Sequence, residues 1–372
     1  MKRWMGLLLA LTLALWLPAC GGDEVLPEEE EMEDAPEGGY QIAMVTDATS
    51  LGDASFNDSV WSAILDYAEE NETACKYYRP AAEDTGAYLT AVEVAVGDGA
   101  RIVFLPGSRF AEAAYLAQDL YPETYFVLLD AYPRSAEGES RTEANMVGIK
   151  FAEEQSGYLA GFAAVQEGYT RLGFLGGMAL ESVENFGYGF ARGANDAAAG
   201  LGITVELRYA YSGSFENTPE ARSLAAAWYA GGTEVIFAAG GAMGFSVMSA
   251  AEAVGAAVIG VSRDQSQDSE MVITSALKGL DVAVTDMLEA FYNDEFPYGE
   301  SLLYTAAEGG VGLSLETSRF NNFTRDVYDS VYTSLTIGEI EIMASEDAES
   351  VMELELPNVT VVSEEASGTE GN

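Results

Sequence analysis

The loops at the ends of short apolar runs hold, among other residues, Asp47, Phe56, Asn57, Asp130, Phe215, Gly241, Asp264 and Lys278. Their types suit holding a small molecule. Carboxylates accept hydrogen bonds and an amide both donates and accepts, an aromatic ring offers a face for stacking, and glycine lets backbone come close to a ligand. Singly, each has an ordinary structural use: Asp at a strand end caps helices, Gly240-Gly241 reads as a tight turn, and a loop Phe packs. Ser55 or Asn57 could cap the helix that begins there. The chain has no histidine, which removes Ser-His-Asp and Cys-His catalysis and the commonest zinc ligand. Paired carboxylates remain open to a surface hydrolase, because 61 residues are acidic.

A ninth residue, Cys20, does chemistry of another kind. Lys2 and Arg3 precede an almost unbroken apolar run from Trp4 to Leu17, and Leu17-Pro18-Ala19-Cys20 closes it. This is the layout of an export leader with a small-residue cleavage site. Cysteine directly after the small residue is the bacterial lipoprotein pattern, so residues 1–19 are expected to be removed and Cys20 acylated with palmitate-type chains. The apolar run is short for a membrane span, which takes about 20 residues. The expected location is therefore the extracytoplasmic face of the cell membrane. Residues 20–39, with the Glu28–Glu31 run, Pro27 and Pro36, bury too little to fold and read as an acidic tether. Fully stretched it would reach about 65 Å at ~3.4 Å per residue.

The elements that position the strand-end residues follow from alternation. Strand-like runs at Gln41–Thr46, Ala74–Tyr78, Arg101–Leu105, Tyr125–Asp130 and Met146–Ile149 interleave with helical patterns at Asp58–Glu70, Tyr88–Gly97 and Phe110–Leu120. After Lys150 the pattern repeats: Leu172–Leu175, Ile203–Arg208, Val235–Ala238, Ala257–Val261 and Met271–Thr274 alternate with helices at Glu153–Gln166, Val183–Ala199, Pro219–Tyr229 and Ala242–Val254. The expected fold is α/β, two Rossmann-like doubly wound lobes whose strand C-termini face one cleft. The tail from Ser345 to Asn372 is acidic and expected to lack order.

Composition narrows the partners. The chain is 48% hydrophobic with 17 basic against 61 acidic residues, net −44. Loss of Lys2 and Arg3 with the leader leaves 15 basic residues and a net charge of −46. Such a surface repels nucleic acid and anionic lipid. Apart from Cys20 only Cys75 carries a thiol, so no intrachain disulfide remains after acylation. The glycines of Gly187-Tyr188-Gly189-Phe190-Ala191-Arg192-Gly193 have the wrong spacing for dinucleotide binding and sit in a helical pattern, where they serve close packing. No Walker lysine motif is present, so the chain does not read as a P-loop ATPase subunit.

Several stretches together resemble one family. Val45-Thr46-Asp47 with Ser55-Phe56-Asn57 and Trp61, then Ile149-Lys150-Phe151-Ala152-Glu153-Glu154-Gln155-Ser156-Gly157-Tyr158-Leu159-Ala160-Gly161, Leu172 to Gly177, Phe190 to Gly193, Gly213-Ser214-Phe215 and Ile259 to Gln265 are similar to the basic membrane protein family of solute-binding lipoproteins. That family includes purine-nucleoside receptors of bacterial ABC transporters, and the likeness runs from about Gln41 to Ile342. It implies a type I periplasmic-binding-protein-like fold with three crossings between lobes. The boundaries expected are 40–148 plus about 276–307 for the first lobe and 149–275 plus about 308–344 for the second. It further implies a purine (adenosine, guanosine or inosine class) between Phe56 and Phe215, with Asp47, Asn57 and Asp130 on base edge or ribose. Gly241, Asp264 and Lys278 would hold ribose hydroxyls. Ser262 stands where the family often has an acid, so Ser262 or Asp264 is the ribose partner. ABC permease subunits are the implied protein partner of a monomer that has no cofactor, metal or catalytic residue. A sugar or other small-solute receptor of the same fold, and less so a carboxylate hydrolase, are the alternatives.

Overall fold

The computed structural model describes residues 39–47, 51 and 56–363. The leader, Cys20, the tether through Gly38, Ser55 and the chain beyond Ser363 lie outside the described residues. In chain order the first part contains β1 (Ile42–Val45), α1 (Phe56–Glu70), β2 (Cys75–Tyr78), α2 (Thr85–Gly97), β3 (Ile102–Pro106), α3 (Ala111–Leu120), β4 (Tyr125–Leu129) and β5 (Met146–Phe151). A second series follows: α4 (Glu153–Glu167), β6 (Arg171–Gly176), α5 (Glu181–Leu201), β7 (Val205–Tyr211), α6 (Pro219–Ala230), β8 (Val235–Ala239), α7 (Met243–Glu252), β9 (Ala257–Ser262) and β10 (Val272–Lys278). The chain then closes with α8 (Leu280–Tyr292), β11 (Ser301–Tyr304), β12 (Val311–Leu313), α9 (Arg325–Thr336) and β13 (Val359–Ser363).

These strands form two sheets. One has the order β11-β5-β4-β3-β1-β2, the other β12-β10-β9-β8-β6-β7-β13. Every described pairing is parallel except β10 with β12. Parallel strands are covered on both faces, and β1, β3, β5, β8 and β9 are accordingly near-continuous apolar runs with almost every residue buried. The chain passes between sheets three times: at Ala152, at Gly279, and from β11 to β12. These crossings lie side by side, with the Ala152 amide donating to the Tyr304 carbonyl at 2.9 Å and the Gly279 amide to the Gly310 carbonyl at 2.8 Å.

The glycines of α5 pack as the sequence predicts. A Cβ on Gly189 or Gly193 would overlap the α4 carbonyls of Glu154 and Tyr158, and one on Gly157 or Gly161 would overlap those of Phe186 and Phe190 on α5. The two helices therefore touch backbone to backbone, which holds the start of α4, directly after the Ala152 crossing, against the middle of α5.

Two boundaries move, and the tail is corrected. Ala276–Lys278 still pairs with Val261–Ser262 and with β12, so the chain leaves the second sheet at Gly279 rather than near residue 276. β5 stays in the first sheet to Phe151. Residues 345–363, expected to lack order, are built onto the second lobe: β13 adds a strand parallel to β7. The Tyr188 hydroxyl donates to the Ala348 carbonyl at 3.2 Å, and the Asn358 amide donates to Asn195 Oδ1 at 3.0 Å. The apolar patch Val359–Val362 finds a partner about 150 residues earlier in sequence, which local pattern does not reveal.

Candidate functional site

The strand C-termini of both sheets open onto one cleft, as doubly wound sheets place their ligand sites. From the first lobe, β1 delivers Asp47, the first turn of α1 delivers Phe56 and Asn57, β3 leads into Ser108 and Arg109, and β4 ends at Asp130. Asp130 has φ 66°, a left-handed conformation that Asp tolerates better than most residues, and its carboxylate meets Lys278. Arg109 is paired with Glu83 at 2.5 Å. Asn57 is only 6% exposed, and its Oδ1 has no hydrogen-bond partner among the described residues. Buried acceptors are nearly always satisfied, and this unsatisfied one belongs to a residue that lines the cavity. Asn57 lies inside α1 and does not cap it.

The second lobe contributes differently. Gly177, Gly240 and Gly241 form a small-residue shelf: a Cβ on Gly177 would overlap the Phe215 ring. The Met243 amide donates to the Phe215 carbonyl at 2.8 Å, and the Ser212 hydroxyl donates to the Ser214 carbonyl at 2.8 Å, so the loop carrying Phe215 is held from both sides. Phe186, Ser182 and Leu180 reach the cleft from the start of α5, and Phe245 from α7. β9 ends at Ser262, also left-handed with φ 66°. Arg263 beside it is paired with Asp268 at 2.7 Å.

The floor is an ion cluster. Lys278 Nζ lies 2.6 and 2.7 Å from the two Asp130 oxygens and 2.9 Å from Glu153 Oε1. The Lys278 and Glu153 side chains are 3% and 5% exposed. The ammonium also sits 5.5 Å from the Phe56 ring centre and 5.7 Å from those of Phe151 and Phe186. Burial acts against the Lys278 charge, but the two carboxylates outweigh it and hold the ammonium's pKa above its ordinary value. For Glu153, burial is the largest influence and pushes its carboxyl up to about 7, with Lys278 pulling down and Asp130 pushing up.

The resulting cavity holds about 390 Å³. Of the eight residues expected at the site, Asp47, Phe56, Asn57, Asp130, Phe215, Gly241 and Lys278 line it, and Ser262 does as well. Asp264 does not. Its Oδ2 accepts from Thr317 Oγ1 at 2.6 Å and its Oδ1 from the Ser266 amide at 2.9 Å, so it ties a loop together and Ser262 takes the wall position. Burial raises the Asp264 carboxyl, but these bonds and Arg263 outweigh it and leave its pKa below the ordinary value. Glu83, Arg109, Phe186 and Arg263 also line the cavity; neither they nor Glu153 beneath Lys278 stand out in the sequence pattern. A wider depression of about 630 Å³ between the end of α1 and β2 gathers Asp66, Glu69, Glu72 and Cys75 but no ring or cation. No cluster of three or more metal-binding side chains occurs among the described residues.

The family described as ABC transporter substrate-binding protein PnrA-like, the Bmp family, matches residues 40–346. The chain belongs to this family. It is 28% identical over 319 residues to the ABC transporter nucleoside-binding protein BmpA of Lactococcus lactis subsp. cremoris, covering 80% of this chain and 86% of that one. Basic membrane protein A of Borreliella burgdorferi is 27% identical, covering 73% and 78% respectively. An ABC transporter solute-binding protein of Aeropyrum pernix shares the fold at a TM-score of 0.70 and 20% identity, covering 84% of this chain and 95% of that one. This Bmp-family protein is thus an extracytoplasmic substrate-binding protein of an ABC transporter, with a small solute as ligand and the permease as partner. It is not an enzyme, and the hydrolase alternative falls. Among the described residues no helix is long and apolar enough to cross a membrane.

Proposed function

We propose that the cleft captures a purine nucleoside, with the base between Phe56 and Phe215 and the sugar toward Asp130, and that acylated Cys20 keeps the protein at the membrane beside its permease. The observation that carries the ligand class is the unpartnered Asn57 acceptor in a cavity that receives an aromatic ring from each lobe. A purine offers two π-faces, N–H donors at its edge and vicinal ribose hydroxyls; offset stacking contributes about 0.5–1.5 kcal/mol per ring beyond burial. Asp47 and Asn57 suit the base edge or ribose, Asp130 and Lys278 the hydroxyls, and Ser262 with the Gly241 backbone the second-lobe side. The name of the Lactococcus relative points the same way.

Charge supports a neutral ligand. Arg109, Arg263 and Lys278 are the cations among the described lining residues, and each already faces a carboxylate. A phosphate would meet cations already neutralised and the carboxylates beside them, so the nucleoside fits and the nucleotide does not. Calorimetry with adenosine, guanosine, inosine, cytidine, ribose and adenosine monophosphate tests this. Purine nucleosides should bind, the monophosphate at least about tenfold more weakly, since like charge placed in an interface costs several kcal/mol. Tight ribose binding with no response to any purine would replace this reading with a sugar receptor. For the anchor, Cys20→Ala should move the protein from the membrane to the soluble fraction, because acyl chains contribute about 0.8 kcal/mol per buried CH₂; a variant that stays membrane-bound in high salt rules the lipid out.

A further inference from the structure

Lys278 has three N–H donors. It directs them to Asp130, across the cleft in the first lobe, and to Glu153. Position in the chain makes this arrangement more than a local ion pair. Glu153 is the first residue of α4, directly after the Ala152 crossing, and Lys278 is the last of β10, directly before the Gly279 crossing. One buried ion pair thus joins two of the three crossings on which the lobes turn, and Asp130 joins the first-lobe rim to it.

A ligand hydroxyl that takes Asp130 as acceptor draws on the same two oxygens that Lys278 holds, and it shifts the carboxylate where its geometry does not match the lone pairs left open. If Asp130 turns toward the ligand, Lys278 would be left as an uncompensated charge in a site almost closed to water, which is strongly unfavourable. Glu153 is the carboxylate that remains. We infer that Glu153 is a positioning residue of the cleft: it holds Lys278 between the crossings when the ligand draws Asp130 away. This inference rests on the proposed role of Asp130 toward a ligand hydroxyl.

The surroundings of Glu153 equip it for a change of charge. Its other oxygen, Oε2, lies 3.4 Å from Asn185 Nδ2, and Asn185 Oδ1 accepts from the Ser345 amide at 2.7 Å, so its orientation is fixed from the second side. Lys278 and Asp130 face it in the cluster, Glu154 adjoins it on α4, and Tyr132 faces it from the loop after β4. A side chamber of about 330 Å³, lined by Glu153, Asp130, Tyr132, Arg134, Lys150 and Glu181 among others, gives room for water and proton exchange. While Asp130 holds Lys278, Glu153 shares one ammonium with a second carboxylate and keeps its proton up to near neutrality. Once Lys278 depends on it alone, the ionised form is favoured. Binding then releases a proton.

The test is adenosine affinity of the full-length wild type and of Glu153→Gln, by calorimetry at about pH 6, 7 and 8 in two buffers of different ionisation enthalpy. Wild-type affinity should rise about tenfold from pH 6 to pH 8, because a proton is lost on binding in that range. The apparent enthalpy should depend on the buffer. Glu153→Gln, which keeps the shape but cannot ionise, should bind with little pH dependence and no proton release, and should lag the wild type most at pH 8. Glu153→Asp should restore part of the slope. A Glu153→Gln protein with the wild-type slope and proton release overturns the role of Glu153 while leaving nucleoside binding intact. If the wild type binds neither adenosine, guanosine, inosine nor ribose at any pH, both this inference and the ligand reading beneath it fall.

Discussion

The two rims of the cleft are built from different materials. The first lobe presents side-chain functional groups, Asp47, Asn57, Arg109 and Asp130, each set at the end of a strand or the start of a helix. The second adds backbone bends and apolar surface, the Gly177, Gly240 and Gly241 shelf, the left-handed Ser262, and the rings of Phe215 and Phe245, beside the charged Glu216 and Arg263. Both derive from the same doubly wound plan, so the difference lies in what each loop carries. On the proposed reading, the first rim reads a ligand's hydrogen-bonding pattern and the second covers its face. Lys278 joins the two rims, rooted in the second lobe and bonded to Asp130 of the first.

Substitutions can break this division. Asp130→Ala should be the most damaging, because it removes the proposed acceptor of the ligand hydroxyls and one partner of a buried ammonium. A hydrogen bond to a charged group contributes about 1.5–3 kcal/mol, so adenosine affinity should fall by about 10- to 150-fold in calorimetry, with a lower melting temperature. Gly177→Ala probes the opposite rim: the new methyl overlaps the Phe215 ring and must push it aside. Overpacking and lost stacking each fall in the range of about 1–3 kcal/mol. The loss should be of a similar kind for every purine nucleoside, since a stacked face carries little edge information. If Gly177→Ala changed the ranking among adenosine, guanosine and inosine, the second rim would be reading as well as covering.

Asn57→Ala should cost about 1 kcal/mol of affinity, one ordinary hydrogen bond. It should leave the melting temperature of the ligand-free protein unchanged or higher, because it removes a buried acceptor that has no partner within the protein. Asp264→Asn should have the smallest effect, leaving affinity within about twofold. Its trace is in acid stability. The folded-state carboxyl is held below its ordinary value, so its contribution is present above the unfolded-state pKa of about 4 and is lost as pH falls through the folded value. Thermal melts of Asp264→Asn should therefore be less pH-sensitive than wild type only below about pH 4.

Much of this arrangement is legible in the amino-acid sequence alone. Strand-helix alternation points to two doubly wound lobes because each apolar run reports its own burial, and Phe56 and Asp130 stand out as odd residues at expected strand ends and helix starts. Glu153 is not legible in this way: acidic residues in a first helical turn are ordinarily solvated there, and only the neighbouring crossing brings Lys278, far along the chain, against it. Asp264 and Ser262 lie close together on one loop. Which of them faces the cleft depends on the left-handed turn at Ser262 and on Thr317, distant in sequence. β13 escapes local pattern for the same reason, since its partner β7 is remote and its own flanks are acidic.

The measurement that tests the central claim most directly is a double-mutant cycle between Phe56 and Phe215, read as adenosine affinity. If the two lobes close their rings on opposite faces of one base, each alanine variant should weaken binding by about 1–3 kcal/mol. The pair should then show a coupling energy of at least about 0.5 kcal/mol, because removing one ring loosens the grip of the other. Strictly additive losses, or wild-type affinity in either single variant, would contradict a base held between the lobes.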